Sequence, residues 1–149
     1  MRLYLNTSAL HRAFDDLSQA RIRQEAETIA MIVSALEAGR VTLISSEYLL
    51  FEVAQNPNPV QLGIMLATVA LAKERVKVSR QAVRRAEELE NHGLRGLDAI
   101  HIACAESGGA DLLVTTDDRM LRTSRRAGVL RVRVVAPFEA LAEISVELQ

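Results

Sequence analysis

Four side chains with oxygen donors occur where predicted strands end or predicted helices begin, and together they could bind a metal ion. Asn6 directly follows the first predicted strand, and Asp117 directly follows the fourth. Glu52 lies on the helix after the second strand, and Asp98 lies at the start of a nearly apolar helix. Carboxylate and amide oxygens are the ligands that Mg²⁺ and Mn²⁺ prefer. Strand ends and helix starts meet at one edge of a parallel sheet, so these four side chains can converge there.

Each of the three acidic residues also has a purely structural explanation. Asp98 can cap its helix, because the helix dipole favours an anion at the first turn. Glu52 can face solvent on an amphipathic helix. Asp117 can be the N-cap of the helix that begins at Asp118. The hypothesis of a site therefore depends on the combination of residues and not on any one of them.

The elements that must position these residues alternate between strand and helix. Short apolar runs predict strands at Leu3–Leu5, Val41–Ile44, Val76–Val78, Leu112–Thr115 and Val132–Val135. Helical spacing and caps predict helices at Ser8–Asp15, Gln19–Ala38, Glu47 to the break at Asn56–Pro59, Val60–Ala72, Arg80–Asn91, Leu97–Ala105, Asp118–Ala127 and Phe138–Glu143. This alternation implies parallel crossovers and an α/β fold, a three-layer α/β/α sandwich with about five short strands.

Two local features allow alternative interpretations. Thr7 or Ser8 is expected to cap the first helix, since both hydroxyls stand at its start. The stretch Ile144–Leu148 is compatible with either a strand or a frayed end.

The composition is that of an ordinary globular domain. With 149 residues, 49% of them hydrophobic and 25% charged, the chain can bury one core, so we expect a single domain over 1–149. A net charge of −1 excludes strong attraction of the whole molecule to nucleic acid, although not a local basic patch. The single Cys104 excludes an internal disulfide framework and fits a reducing compartment. No apolar run is long enough to cross a bilayer and no signal peptide is visible, so a cytoplasmic protein is expected.

The motifs around the four candidate residues resemble those of the PIN-domain ribonucleases, and among them the VapC-like toxins of bacterial toxin–antitoxin pairs. The similarity rests on four runs: LYLNTSAL with Asn6, SSEYLLFEV with Glu52, LDAIHIACA with Asp98 and LLVTTDDRML with Asp117. Their order, spacing and apolar flanks match over essentially the full length. The resemblance implies one PIN-like domain in which these four positions are the catalytic metal site.

The resemblance also implies a cofactor and a reaction. One or two Mg²⁺ or Mn²⁺ ions would activate water for attack on an RNA phosphodiester and stabilise the departing 3′ oxygen. Thr7, Ser8 and Thr115 would orient the carboxylates through their hydroxyls. Asp118 would either bind the metal through water or simply occupy the first turn of its helix.

The same resemblance implies protein partners: a second copy of the chain in a homodimer, and a cognate antitoxin that covers the site. Two apolar helices are the candidate surface for these partners, unless they belong to the core. Their residues are Leu49, Leu50, Leu62, Ile64 and Met65.

The family has an Asp where this chain has Asn6. An amide keeps the shape of the carboxylate but loses its charge, and its NH₂ group can only donate hydrogen bonds. We therefore expect the nuclease to be weakened or inactive. Two explanations stay open: the exchange was introduced to make a toxic nuclease expressible, or a natural relative lost catalysis and retains binding to RNA or to a protein.

The remaining polar residues each have two interpretations. His101 either touches the site or is a half-buried histidine that is hydrogen-bonded in the core. Arg119 and Arg122 could contact RNA phosphates, or they form a solvated helix face. His11 and His92 are interpreted as surface or turn residues.

Three further observations concern RNA binding and an alternative function. We expect Arg80, Arg84 and Arg85 to form a solvated helix face. Because exposed aromatic residues are few, any RNA is expected to be read by shape and backbone. A receiver-like domain that accepts a phosphoryl group also gathers carboxylates at strand ends, but the chain lacks the paired acids expected after the first strand.

Overall fold

A five-stranded parallel β-sheet forms the centre of the protein. The computed structural model describes residues 1–149. The strands are β1 (Arg2–Leu5), β2 (Thr42–Ser46), β3 (Glu74–Val76), β4 (Leu112–Val114) and β5 (Arg133–Val135). Their order in the sheet is β3-β2-β1-β4-β5, and every neighbouring pair is parallel. The predicted α/β fold with five short parallel strands is confirmed.

Eight α-helices connect and follow the strands, with one 3₁₀ turn at Arg12–Phe14. They are α1 (Thr7–His11), α2 (Ala20–Glu37), α3 (Glu47–Val53), α4 (Pro59–Val69), α5 (Arg80–Asn91), α6 (Gly96–Ser107), α7 (Asp118–Ala127) and α8 (Pro137–Glu147). Ser46 and Ser79 cap α3 and α5 by accepting backbone N–H bonds. None of these helices is long and apolar enough to span a membrane.

The order of the strands creates a topological switch point beside β1. The chain moves outward from β1 to β2 and β3, then returns to the other side of β1 for β4 and β5. The connections leaving β1 and β4 therefore diverge, which opens a crevice at their carboxyl ends. Both strands are buried along their length, with Leu3–Leu5 and Leu112–Val114 at most 1% exposed. A rigid, doubly covered pair of strands thus forms the base of the crevice.

Helix α6 packs closely against the sheet at one glycine and is joined to α5 by an ion pair. A Cβ atom at Gly108, where α6 ends, would lie 2.6 Å from Cγ2 of Ile44 and 2.8 Å from Cγ2 of Val76, so only glycine permits this approach. Arg85 on α5 donates to both carboxylate oxygens of Glu106 on α6. The Arg85 side chain is only 10% exposed, so the expectation of a solvated face is wrong for this residue.

Three predicted elements differ from the structure. The third strand is Glu74–Val76, not Val76–Val78, because its partner β2 ends at Ser46, opposite Val76. The first helix divides into α1 and the 3₁₀ turn. The last helix continues through the segment for which a strand or a frayed end was expected, because Ile144 packs into the core.

Candidate functional site

The structure brings the four predicted residues together at the carboxyl edge of the sheet. Asn6 follows β1 and Asp117 lies just beyond β4, so both stand at the switch point. Glu52 projects from α3 and Asp98 from the first turn of α6. All four line one open cleft of about 620 Å³, with His101 among the other lining residues. The convergence expected from strand order is therefore present.

Asn6 is the N-cap of α1, and its carbonyl oxygen is fully engaged. Oδ1 accepts hydrogen bonds from the backbone N–H of Ser8 at 3.1 Å and from the Ser8 hydroxyl at 3.0 Å. The side chain is only 6% exposed. An amide oxygen has two lone pairs, and Ser8 occupies both of them. The cap predicted at Thr7 or Ser8 is thus supplied by Asn6, and the amide has no acceptor left for a cation.

Glu52 is held in its ionised form by two donors. Its Oε1 accepts from Nε2 of His101 at 2.6 Å and from the hydroxyl of Thr7 at 2.5 Å. Burial alone would raise the pKa of Glu52, but the hydrogen bonds from His101 and Thr7 outweigh it, so the pKa lies below its usual value. Glu52, which lines the cleft, is therefore a fixed and ionised carboxylate.

A buried chain of hydrogen bonds continues behind His101. The imidazole is 2% exposed, and its Nδ1 lies 2.7 Å from the hydroxyl of Tyr4, which in turn lies 2.7 Å from Oγ of Ser46. Because an ionised Glu52 can only accept, Nε2 of His101 donates to it, and the chain of contacts runs from Ser46 through Tyr4 and His101 to Glu52. Both interpretations of His101 hold, since it is a core histidine that also contacts the site.

Asp98 differs from Glu52 because no other residue donates a hydrogen bond to it. It occupies the first turn of α6, whose N-cap is Arg95, so it is not the cap itself. Burial and, next, the nearby charge of Asp117 raise its pKa above the usual value, and the charges of His101 and Arg95 counter this only in part. Two carboxylates of like charge thus lie near each other, and nearby positive charge balances them only in part.

Asp117 both caps a helix and lines the cleft. Its Oδ1 accepts from the backbone N–H groups of Arg119 and Met120, which makes it the N-cap of α7. Its Oδ2 makes no hydrogen bond within the chain and remains available. The neighbouring Asp118 forms a bidentate ion pair with Arg21 and does not line the cleft, so the expected role of Asp118 at the site has no geometric support.

The three predicted hydroxyl residues all bond to the site or to its supports. Thr7 donates to Glu52, as described above. The hydroxyl of Ser8 donates to Asn6, lies 3.1 Å from Oγ1 of Thr115, and accepts from the backbone N–H of Thr116. These bonds connect the end of β1 with the end of β4.

A fully ligated metal centre is not preformed in this arrangement. No three His, Cys, Asp or Glu side chains lie close enough together to share one ion. Mg²⁺, however, is usually held by one or two carboxylates and keeps several waters. Asp98, which has two unbonded oxygens, and Asp117, which has one, fit such a hydrated divalent ion. Asn6 does not fit as a ligand, because its only acceptor is already occupied.

The basic residues near the cleft differ from those predicted. Arg119 and Arg122 are exposed on α7, and neither lines the cleft. Arg95 does line it, immediately before α6. The sequence offered no signal for Arg95, because it stands alone and not in a run of basic residues.

The predicted partner surface divides between core and solvent. Leu49 and Met65 are buried in the core, whereas Ile64 is exposed. Leu50 and Leu62 are half-buried against the core. The prediction of a partner surface therefore applies to Ile64 and not to Leu49 or Met65.

Comparisons with known proteins agree with this geometry. The family model described as "PIN domain" matches residues 3–126. None of the curated protein sequences matches the chain. For the three solved structures described next the similarity is one of fold, because their sequence identity to this chain is below a fifth.

Three solved structures illustrate the fold similarity. VapBC2 from Rickettsia felis, bound to a DNA fragment from their promoter, has a TM-score of 0.58 at 17% identity, covering 91% of this chain and 98% of that chain. VapC20 from Mycobacterium tuberculosis, a toxin that cleaves the sarcin–ricin loop, has a TM-score of 0.54 at 18% identity, covering 88% and 98%. PAE2754 from Pyrobaculum aerophilum has a TM-score of 0.51 at 16% identity, covering 98% and 90%.

Proposed function

The chain belongs to the PIN domain family, and from this premise we propose that it is a metal-dependent endoribonuclease of the VapC-like toxin type, attenuated by Asn6. Membership in this family excludes the alternative of a receiver-like domain. One observation carries the proposal: Asp98 and Asp117 stand in one cleft with their negative charges only partly balanced by nearby positive charge, next to an ionised and fixed Glu52. A site with this balance of charge favours a divalent cation.

In the proposed reaction the protein holds and orients the groups around the scissile phosphate. Asp98 and Asp117 would hold the ion directly, and Glu52 would contact it through water. When bound, Mg²⁺ or Mn²⁺ supplies a Lewis acid that activates water and stabilises charge on the departing 3′ oxygen. His101 and Thr7 keep Glu52 ionised and aimed at the cleft, and Arg95 supplies a positive charge at its rim.

Asn6 attenuates this function through geometry as well as charge. Since Oδ1 is occupied by Ser8, the amide nitrogen is the remaining polar atom of the side chain, and an NH₂ group can only donate. An Asp at this position would keep the bonds to Ser8 through one oxygen and offer the second to a cation. Both origins of Asn6, an introduced exchange and a natural loss, are compatible with this account.

The proposed partners follow from the same family resemblance. VapBC2 from Rickettsia felis is a complex of this fold, so we propose a cognate antitoxin that covers the cleft and a homodimer of this chain. Exposed apolar side chains on α3 and α4 are available for such contacts: Phe51, Val60, Ile64 and Leu66.

A second candidate function is a catalytically silent PIN domain that binds RNA or a protein. The occupied lone pairs of Asn6 favour this candidate, because they remove one ligand without disturbing the cap of α1. The two candidates predict different consequences of restoring the carboxylate.

The test is the Asn6→Asp variant, assayed for Mn²⁺-dependent cleavage of a structured RNA such as the sarcin–ricin loop, the target of a protein with this fold. We expect at least about a hundredfold gain over the chain with Asn6, the order seen when a single electrostatic group is restored to an active site. The control is the double variant Asn6→Asp with Asp98→Ala, which should be inactive. A restored variant that neither binds Mn²⁺ nor cleaves RNA excludes the nuclease; equal cleavage by both chains refutes the role given to Asn6.

A further inference from the structure

The cleft lined by Asn6, Glu52, Asp98 and Asp117 is called the acidic cleft below. A second cleft, the side cleft, adjoins it, and the proposed hydrolysis does not use this second cleft. It has a volume of about 510 Å³ and shares four residues with the acidic cleft: Thr7, Glu52, Gln55 and Asp117. One wall comes from α1 and the following turn, and the other from the segment after α3. A chain of nucleotides crossing the acidic cleft would therefore pass directly in front of this side cleft.

The side chain of His11 is held in a fixed orientation on the first wall. Its Nδ1 lies 2.9 Å from Oδ1 of Asp15, and its ring meets Phe14 edge to face at a centroid distance of 5.7 Å. Arg12 donates to the other oxygen of Asp15, which keeps that carboxylate in place. Because a carboxylate only accepts, Nδ1 of His11 carries the proton. Its Nε2 and the rest of the ring remain available, since the side chain is 40% exposed.

The opposite wall offers an apolar base and one acceptor. Val53 and Met65 line the cleft and are buried in the core. Gln55 donates its amide to the carbonyl of Phe51, which leaves its Oε1 unbonded. Asn56, by contrast, is occupied by Gln61.

The charges in the side cleft do not favour a phosphate. Its cation, Arg12, already donates to Asp15 and to the carbonyl of Thr116, and lies 3.6 Å from Glu25. The acids shared with the main cleft add negative charge. A planar, neutral group that stacks on an imidazole and donates to acceptors fits better, and a nucleobase has these properties.

We propose that the side cleft receives one nucleobase of the RNA, stacked on His11, next to the phosphate that occupies the acidic cleft. This subsite rests on the proposed function, because it presumes an RNA ligand. It adds base recognition to a protein expected to read RNA by shape and backbone.

The experiment measures RNA binding by the chain as it stands, with Asn6, in the presence of Mg²⁺. The probes are short single-stranded RNAs that differ only in the position of one abasic nucleotide, and binding is followed by fluorescence anisotropy. We expect one position at which loss of the base weakens binding about tenfold, the order found for one stacked base. In His11→Ala that penalty should vanish, whereas in the matched control His92→Ala, an exposed residue at the end of α5, it should persist.

Gln55→Ala provides a second variant on the opposite wall. Gln55 is exposed, so its truncation leaves the core intact, and the penalty at the same RNA position should fall about twofold, as for one exposed hydrogen bond. Equal abasic penalties in His11→Ala and His92→Ala, or no penalty at any position, would overturn the subsite while leaving RNA binding established. Absence of binding to every RNA would overturn the subsite and the proposed nuclease together.

Discussion

The two sides of the acidic cleft differ in how their carboxylates are hydrogen-bonded. On the side of α3, Glu52 is satisfied by two hydrogen bonds, and a buried relay through His101 and Tyr4 fixes its donor. On the side of α6 and α7, Asp98 has no donor and lies near Asp117. The pKa of Glu52 is lowered by its surroundings, whereas the pKa of Asp98 is raised.

For the proposed metal site, this difference would separate two tasks. The α3 side would keep Glu52 in place whether or not an ion is present, which would reduce the reorganisation needed for binding. The repulsion between Asp98 and Asp117 on the other side would be relieved by a divalent ion. Burial also raises the pKa of the adjacent Tyr48 to about 12, so its hydroxyl stays a donor in the physiological range. Under the proposal, the α3 side would supply position and the other side affinity.

The largest expected effect comes from breaking the satisfied side with His101→Ala. The change leaves a cavity and removes the hydrogen-bond partner of both Glu52 and Tyr4, so the free energy of unfolding should fall by about 3 kcal/mol. The midpoint of thermal unfolding should then fall by roughly 6–12 °C. His92→Ala, made at an exposed position, should change stability by about 0.5 kcal/mol at most. Similar midpoints for the two variants would mean that the relay does not hold Glu52.

A smaller effect should follow from adding charge to the unsatisfied side with Asn6→Asp. Without divalent ions the extra carboxylate lies in a cleft that already contains Asp98 and Asp117, so stability should fall by about 1–2 kcal/mol. Millimolar Mg²⁺ should reverse the loss, as measured by thermal unfolding with and without a chelator. The matched control is Asn58→Asp, which changes the exposed N-cap of α4 in the same way and should respond to neither. Equal responses of the two variants would argue against a charge-sensitive cleft.

The smallest effect should come from removing charge with Asp98→Asn. The pKa of Asp98 is higher in the folded than in the unfolded protein, so its ionisation opposes folding at neutral pH. The variant should gain about 0.5–1 kcal/mol at neutral pH, and the gain should vanish as pH falls below the unfolded pKa. Glu52→Gln should behave oppositely: it loses a contribution that is present above the unfolded pKa and disappears as pH falls through the folded pKa. Urea unfolding across an acid-to-neutral pH series measures the free energy of unfolding of both variants. If that free energy changed with pH in the same way for both, the two sides of the cleft would not differ as described.

The positions of the site residues followed from sequence because they depend on strand order and turn chemistry. An apolar run that ends in Asn6 and another that ends near Asp117 must meet if both strands are parallel neighbours. The bonds within the site did not follow, because they join residues far apart in the chain. His101 reaches Glu52 only because α6 lies close to β2, an approach that depends on Gly108. The orientation of the Asn6 amide likewise depends on Ser8, whose hydroxyl could equally have faced solvent.

The cap that Asn6 forms on α1 has a consequence for how this gene could change. Asn and Asp are interchangeable as N-caps, and their codons differ by a single base. If the proposed site is correct, the exchange would switch hydrolysis on or off without an intermediate that fails to fold. A lineage carrying such a gene could lose the toxic activity, keep a folded protein for its partner to bind, and regain the activity by one reversion.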